Sequence, residues 1–522
     1  MQYSPNEIIP PFWAENSGFK TGRDPLGIQN SSVATYSRLL PGMTNQTQRI
    51  RYYGFYCWLL NVYHTNYSEI TTTDLLHQYN FIRRSELLLA FMMVNLYPNE
   101  RAVVGSQYVE NHLTDDIIKL KLGAEKEASK GGKKEYYWEY PSGALGQYYV
   151  GSLINLGLLE MRARFFVNTE KGNLLAEAYK ESIPETERIL FLELINKDEL
   201  PKEEVLKLKS FAVNQIVKDT NEWDLYKTLL TEINNQDTGF IDTISSYLRK
   251  ETILSYFEYL ENSDSDFDFQ TWCFINKGKN ENPKSAVFGW YYYFICEAFH
   301  FSYEAIFWSM LVLSEQKYYL VSEFIEKIIE ELEANSNEQF RFSANETLEN
   351  TILNLHEKDI VESLNELEKL CKSDINYSLA LNKAIELILL LFFHINADIE
   401  KIKEFELMNN LQYQKGHVTE FCNLLVNNNL NLKFTDFVQS LILLIINDHT
   451  STAFRKMGDS EASLLKFIIE DNIISHIQTL SPVHTNPRLN TLRNMMRDLG
   501  FTKDNQITSE AKALIAELQS KE

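Results

Sequence analysis

The chain has 522 residues, 44% hydrophobic and 13% aromatic, with 50 Lys and Arg against 72 Asp and Glu, a formal charge of −22. The charge is uneven: residues 1–180 hold 18 Lys and Arg against 17 Asp and Glu, residues 447–522 hold 9 against 10, and residues 181–446 hold 23 against 45. An acidic body repels phosphate at long range, which excludes non-specific nucleic-acid binding by the whole surface and leaves such contact to the two near-neutral ends.

The length fits three or four domains, and the aromatic content predicts large cores or adhesive interfaces. Cys57, Cys273, Cys296, Cys371 and Cys422 are scattered, odd in number and never spaced as C-x-x-C. That pattern fits free thiols in a reducing cytoplasm and neither a disulfide framework nor a zinc knuckle. Residues 1–11 lack a basic stretch followed by an apolar core, so no signal peptide is expected. The longest wholly apolar runs, 387–393 and 441–446, fall far short of the ~18–20 residues that span a bilayer. A soluble, cytoplasmic protein without membrane contact is expected.

Residues 1–69 form the first expected region, irregular and then helical. Residues 1–48 are rich in Pro, Gly, Ser, Asn and Thr, with a short helix near 31–40 and a turn at Pro41-Gly42. Thr44 or Asn45 can cap a helix over 46–64 that carries Arg49 and Arg51, then Tyr52, Tyr53, Phe55, Tyr56 and Trp58. Such a basic-aromatic cluster can stack bases and hold phosphate. The plainer reading is a buried stripe of Phe55, Leu59 and Val62 with Tyr52 and Tyr56, because so many consecutive aromatics cannot all face water. The block Leu39-Leu40-Pro41-Gly42-Met43-Thr44, with Arg49 to Leu60, resembles the opening of uncharacterised prokaryotic proteins found among anti-phage defence genes. The resemblance carries no chemical motif and implies a context only.

The second expected domain is 70–182. Residues 73–97 read as a strongly apolar helix or helix pair, with Asp74 as cap, Pro98 as stop and Arg83-Arg84 as a solvated corner. A helix over 102–122, a polar loop over 126–134 around Gly131-Gly132, and a strand over 136–140 follow. From Ser142, the apolar residues Leu145, Tyr149, Leu153 and Leu156 fall at helical spacing, and Gly157 stops the helix. Residues 158–167 read as a hairpin, and Thr169 starts a helix with Glu170 in its first turn. This order resembles the second half of a winged helix-turn-helix in bacterial transcription regulators, whose wing commonly ends in Thr-x-x-Gly-x-x-Leu; here those are Thr169, Gly172 and Leu175. The resemblance implies a module that binds DNA or protein.

Residues 183–446 read as an acidic helical body with polar joints at 261–268, 335–337 and 427–431, and with no repeat of fixed length. Residues 288–313 stand apart as an aromatic helix, hydrophobic nearly all round, which makes it central or partner-binding. Residues 447–522 form the last expected domain, where the winged plan returns. Asn486-Pro487 opens a helix whose buried stripe is Leu489, Leu492, Met496 and Leu499. Gly500-Phe501 repeats Gly157-Leu158, a short wing over 503–507 has Asp504-Asn505 at its tip, and Thr508, Ala511 and Leu514 repeat Thr169, Gly172 and Leu175.

The exposed faces of the two units are expected to differ. The C-terminal helix offers Asn490, Arg493, Asn494 and Arg497 beside Arg488, with Lys503 on the wing; Arg and Asn pair bidentately with guanine and adenine edges. The first unit offers Gln147, Ser152 and Asn155, with charge only on its wing, at Arg162 and Arg164. The C-terminal unit is therefore the better reader of double-stranded DNA, and the first is a packing or protein-docking module.

Enzyme signatures are thin: no phosphate-binding loop, no dinucleotide fingerprint, no H-E-x-x-H and no G-x-S-x-G is present. Glu297, His300 and Glu304 share one helical face and make half of a di-iron constellation, but no second Glu-x-x-His is found to complete it. His449 beside Asp448, near Arg455-Lys456, suggests a general base, yet sequence neighbours point to different helix faces. His476 and His484 flank Pro482 and serve loop packing. The expected protein is mainly α-helical and multidomain, with two winged helix-turn-helix units carrying short β-hairpins. It needs no cofactor and works as a DNA-engaging or scaffolding subunit beside partners such as an ATPase or nuclease. A pure protein-interaction scaffold and a divergent nuclease-like enzyme are the alternatives.

Overall fold

A computed structural model of the chain describes residues 24–67, 74–125, 136–234, 241–262, 267–277, 282–334, 346–355, 358–457 and 464–520. The described residues are mainly helical, with short antiparallel strands. The loop expected over 126–134, the joint at 335–337 and residues 263–266 of the joint at 261–268 lie outside the described residues. Contacts divide the chain into two compact units, one of Met1–Tyr36 with Asp268–Thr485, the other of Ser37–Phe267 with Asn486–Glu522. This partition follows a different line from the four contiguous segments read from composition: residues 447–485 group with one unit and 486–522 with the other.

The first unit is built on the aromatic stretch, which folds as one helix, Ala286–Glu315, capped by Ser285 Oγ accepting from Phe288 N–H. Every residue from Ala286 to Ser314 is buried, so an all-round apolar sequence has become the central helix of its unit. Against it packs Tyr377–Ala397. The stretch Asp374–Ala397 is long and apolar enough to cross a membrane, with mean hydropathy 1.7, a property that counting wholly apolar runs misses. Its apolar window is 72% buried within the protein, as in a core helix. A three-stranded sheet joins Tyr319–Leu320, Ile473–His476 and Phe467–Glu470. Asp471 and Asn472, both at positive φ, form the two-residue turn between its longer strands.

The second unit surrounds the helix Arg51–Asn66, which starts five residues later than expected and has no side-chain cap. Residues Arg51 to Leu60, with Tyr63, are buried, so the aromatic run is core. The two arginines are internal as well. Arg51 pairs with Glu222, and Arg49 pairs with Asp498 at 2.6 Å and with Glu100. The helix Leu75–Leu96 has its expected Asp74 cap, accepting from His77 N–H at 3.0 Å. Its Arg83 is not a solvated corner. It is 5% exposed and donates to the carbonyls of Ala124, Trp138 and Tyr140. Those bonds hold 136–140 as irregular chain, so the strand expected there does not form. The helix expected over 102–122 is instead Ser106–Glu110, a two-residue strand Ile117–Ile118 paired with Leu200–Pro201, and Leu120–Glu125.

Two glycines near the first hairpin make opposite demands. Gly157 lies at φ +71°, and a Cβ there would meet nothing within 4 Å. Gly172 is helical, but a Cβ there would run into the carbonyl oxygen of Leu158, which is backbone and cannot swing aside. Gly172→Ala is therefore expected to cost about 3 kcal/mol by overpacking. Gly157→Ala is expected to cost about 1 kcal/mol, from the left-handed backbone alone. Urea unfolding of the two variants checks the order; equal losses would refute the steric argument.

Candidate nucleic-acid interface

The repeated plan exists down to its hydrogen bonds. In the first unit of the pair, a π-turn Leu145–Tyr149 runs into the helix Val150–Asn155. Glu86 holds its start by accepting from Ala144 N–H and Leu145 N–H, and from the hydroxyls of Tyr56 and Tyr137. Burial raises the Glu86 carboxyl above its usual value, and these donors oppose that. The helix ends in a Schellman motif, with Leu158 N–H on Leu153 O and Gly157 N–H on Ile154 O, both 2.8 Å. Strands Leu159–Arg162 and Phe165–Asn168 follow. Thr169 then donates its hydroxyl to Gly157 O at 2.6 Å and accepts from Gly172 N–H at 3.1 Å, closing the hairpin and capping Glu170–Glu181.

The C-terminal copy repeats each step. Helix Leu489–Asp498 ends with Phe501 N–H on Met496 O and Gly500 N–H on Arg497 O, both 2.9 Å. Strands Thr502–Lys503 and Gln506–Ile507 make the shorter hairpin. Thr508 donates its hydroxyl to Gly500 O at 2.8 Å and accepts from Ala511 N–H at 3.4 Å, starting Ser509–Ser520. Both hairpin tips have two residues at positive φ: Ala163 and Arg164 in one, Asp504 and Asn505 in the other. Asp and Asn suit such a turn, whereas Ala and Arg each give up about 1 kcal/mol there.

The named side chains divide into two groups. Arg493 and Arg497 are exposed on one helix face, with Asn490 a turn earlier and Lys503 exposed on the adjoining hairpin. Arg497 is 53% exposed and lies 4.0 Å from the Asp498 carboxylate. Arg162 and Arg164 are exposed on the first hairpin, Arg162 paired with Glu160. Arg488 and Asn494 turn inward instead. Arg488, at φ +66°, donates to Leu40 O and Ser37 Oγ, and Asn494 donates to Gln48 Oε1 at 3.1 Å. Ser152 is buried at 1% exposure and is not on the outer face. Gln147 is exposed and accepts from Trp138 Nε1 at 2.8 Å; Asn155 is exposed.

Sequence reasoning missed the groups that fix the two helices. Glu86 anchors the first helix, and Arg49 anchors the second through Asp498. Asp498 is 3% exposed in its side chain; burial raises its carboxyl to about 6, with the Arg49 guanidinium pulling the other way. Arg49 and Asp498 lie 449 positions apart, and no local pattern announces such a pair.

Glu297, His300 and Glu304 do come together, inside the other unit. His300 Nδ1 lies 3.4 Å from Glu297 and Nε2 lies 2.9 Å from Glu304, ion-pair distances with angles poor for hydrogen bonding. Glu297 also accepts from Thr485 N–H and Thr485 Oγ1 at 2.6 and 2.7 Å, and faces His484 Nδ1 at 3.3 Å. Glu304 accepts from Val483 N–H and from Gln29. These lone pairs serve the loop 483–485, and among the described residues no group of three or more His, Cys, Asp or Glu is arranged to hold a metal ion. His449 is fully buried: Lys466 N–H donates to its Nε2, which leaves Nδ1–H to donate to Pro25 O. Burial lowers its pKa to about 4, and Asp448 is engaged separately by Lys415 and Tyr303. His476 bonds Thr479 Oγ1 at 2.9 Å, a loop contact. The five cysteines are free thiols. No protein-family model matches the chain, and neither the curated proteins nor the solved structures yield a match to it.

Proposed function

We propose that the chain is a non-catalytic, DNA-engaging subunit of a multi-protein assembly, with the helix Leu489–Asp498 and the hairpin after it as a winged-helix contact to a duplex. The observation that carries the reading is the exposed Asn490, Arg493 and Arg497 face beside Lys503, in a near-neutral segment of an otherwise acidic chain. A helix of this kind enters the major groove with Arg and Asn at base edges while the wing meets phosphate. Arg164 supports a second, weaker contact: it stands at a hairpin tip where Gly or Asn would cost less. The acidic body suits docking of a basic partner subunit. A setting in phage defence rests on the resemblance of residues 39–60 alone.

Arg493→Glu with Arg497→Glu is expected to weaken duplex binding about a hundredfold or more while leaving unfolding unchanged, since both side chains are exposed. Mobility-shift titrations at two salt concentrations test it; equal affinity in the variant, or binding insensitive to salt, would reject the reading. The inward turn of Arg488 and Asn494 narrows the outward strip and favours a second reading, a protein-docking scaffold. That scaffold shows no duplex affinity at physiological salt and co-purifies with its partner subunits.

A further inference from the structure

We infer that the outer face of the helix Phe434–Met457 is a self-pairing surface, on which a second copy of this chain docks the same helix in the antiparallel sense. The helix lies in the unit of Met1–Tyr36 with Asp268–Thr485. Its inner face, with Phe434, Phe437, Val438, Leu441, Ile442 and Ile445, belongs to that unit's core. The outer face carries large apolar side chains as well: Leu443 is 43% exposed, Leu444 36% and Phe454 57%. A helix that is apolar on two sides and covered on one has a face left for a partner.

The order of the exposed residues identifies the occupant. Ser440, Leu443, Asn447, Ser451 and Phe454 are all exposed and follow at intervals of three, four, four and three residues, one stripe along the helix. The spacing is symmetric about Asn447. An antiparallel copy centred there puts Phe454 over Ser440, Leu443 over Ser451 and Asn447 against its own counterpart. Each large side chain then meets a small one, the condition for close packing between helices. The serine hydroxyls do not oppose this, because Ser440 donates to Asp436 O at 2.9 Å and Ser451 donates to Asn447 O, both within the helix. The two Asn447 amides can exchange a pair of hydrogen bonds at the symmetry axis, each offering a donor and an acceptor. Charge selects the same arrangement. Asp436 lies in the first turn and Arg455 in the last, both exposed. Antiparallel pairing brings Asp436 of each copy within reach of Arg455 of the other, at both ends of the contact. Parallel pairing would set like charges against each other at both ends. The stripe from Asp436 to Arg455 is about 28 Å long, at 1.5 Å per residue. One helix face of that length suits a reversible dimer and not an obligate one.

The dimer does not depend on the DNA reading, and its test needs no nucleic acid. Sedimentation velocity of the full chain between about 1 and 100 µM is expected to show a reversible monomer–dimer equilibrium, with Kd roughly 1–50 µM. Leu443→Glu with Phe454→Glu should weaken it about a hundredfold while the urea midpoint confirms that the variant is folded, since both side chains are exposed. Asp436→Arg alone, or Arg455→Asp alone, should weaken it several-fold, and the two together should restore it, which only an antiparallel copy explains. Asn447→Cys should give a disulfide-linked dimer under mild oxidation, and the exposed Lys403→Cys should not. A chain that stays monomeric at about 100 µM overturns the inference and leaves the face to a helix of another protein. A dimer that survives Leu443→Glu with Phe454→Glu overturns it too, as does a charge swap that fails to restore association.

Discussion

Replacing Arg51 by methionine is expected to lower the unfolding free energy by about 3–5 kcal/mol, because it strands a buried carboxylate. All five guanidinium N–H groups of Arg51 are used. Nε and Nη2 reach Glu222 at 2.8 and 3.2 Å, Nη1 reaches the carbonyls of Ser210 and Ala212 at 2.9 and 2.6 Å, and Nη2 reaches Ser182 Oγ at 3.2 Å. Burial lowers the guanidinium pKa, but the Glu222 carboxylate more than restores it, and the result lies above the ordinary value. Glu222 is fully buried, with Tyr226 OH donating to it at 3.1 Å, so without Arg51 its charge has one hydroxyl left. Arg51→Met with Glu222→Leu removes both charges and should recover part of the loss. Urea unfolding followed by tryptophan fluorescence measures both, with Trp58 on the same helix as reporter. A single-variant loss below about 1 kcal/mol would mean that this pair does not hold the unit together.

Whatever depends on a few neighbouring residues is legible in the sequence. The Gly–hairpin–Thr plan is closed by bonds no longer than twelve positions, so Gly157 with Thr169, and Gly500 with Thr508, could be read from spacing. The Asp471-Asn472 hairpin obeys the same local logic, with short flanking runs rich in β-branched residues at Phe467–Glu470 and Ile473–His476, although the reading of 447–522 assigns no strand there. Long-range pairs were not legible. Arg49, Arg51 and Arg83 look like surface cations in sequence, and only their partners, 41 or more positions away, show them to be internal. A buried arginine is affordable only where carboxylates or several carbonyls converge, and convergence is a property of the fold.

The candidate interface follows the same division. Helical period alone placed Leu492, Met496 and Leu499 inward and Arg493 and Arg497 outward. It could not place Arg488, whose left-handed backbone removes it from the helical wheel. Nor could it place Asn494, whose partner Gln48 is 446 positions away. Ser152 differs from both: it lies three residues after Tyr149 and four before Leu156, on the buried stripe itself, so ordinary helical spacing already turns it inward.

Glu297→Ala is the second change expected to cost about 3–5 kcal/mol, and its pH dependence identifies the cause. Burial would lower the pKa of His300, but Glu297 and Glu304 raise it to about 10; His484, opposed by burial and raised by Glu297 and Glu368, reaches about 9. Burial would raise the Glu297 carboxyl, and the facing His300 and His484 rings hold it well below its usual 4.5. Each raised histidine contributes stability that is fully present below its unfolded value of 6.5 and is lost as pH climbs through 9 to 10. The depressed carboxyl works in the other direction: its contribution is present above 4.5 and fades as the solution is acidified. The cluster therefore holds the 483–485 loop best between those limits, near pH 4.5–6.5. Removing Glu297 leaves two cationic rings short of a counter-ion, which lose protons at lower pH, so the decline in urea midpoint between pH 6.5 and 10 should be shallower than in the parent chain. Glu297→Gln keeps an acceptor for Thr485 N–H and discards the charge; it should reproduce the flattened pH profile with a smaller loss at pH 6. Profiles that run parallel to the parent in both variants would show that the ion pairs contribute nothing beyond packing.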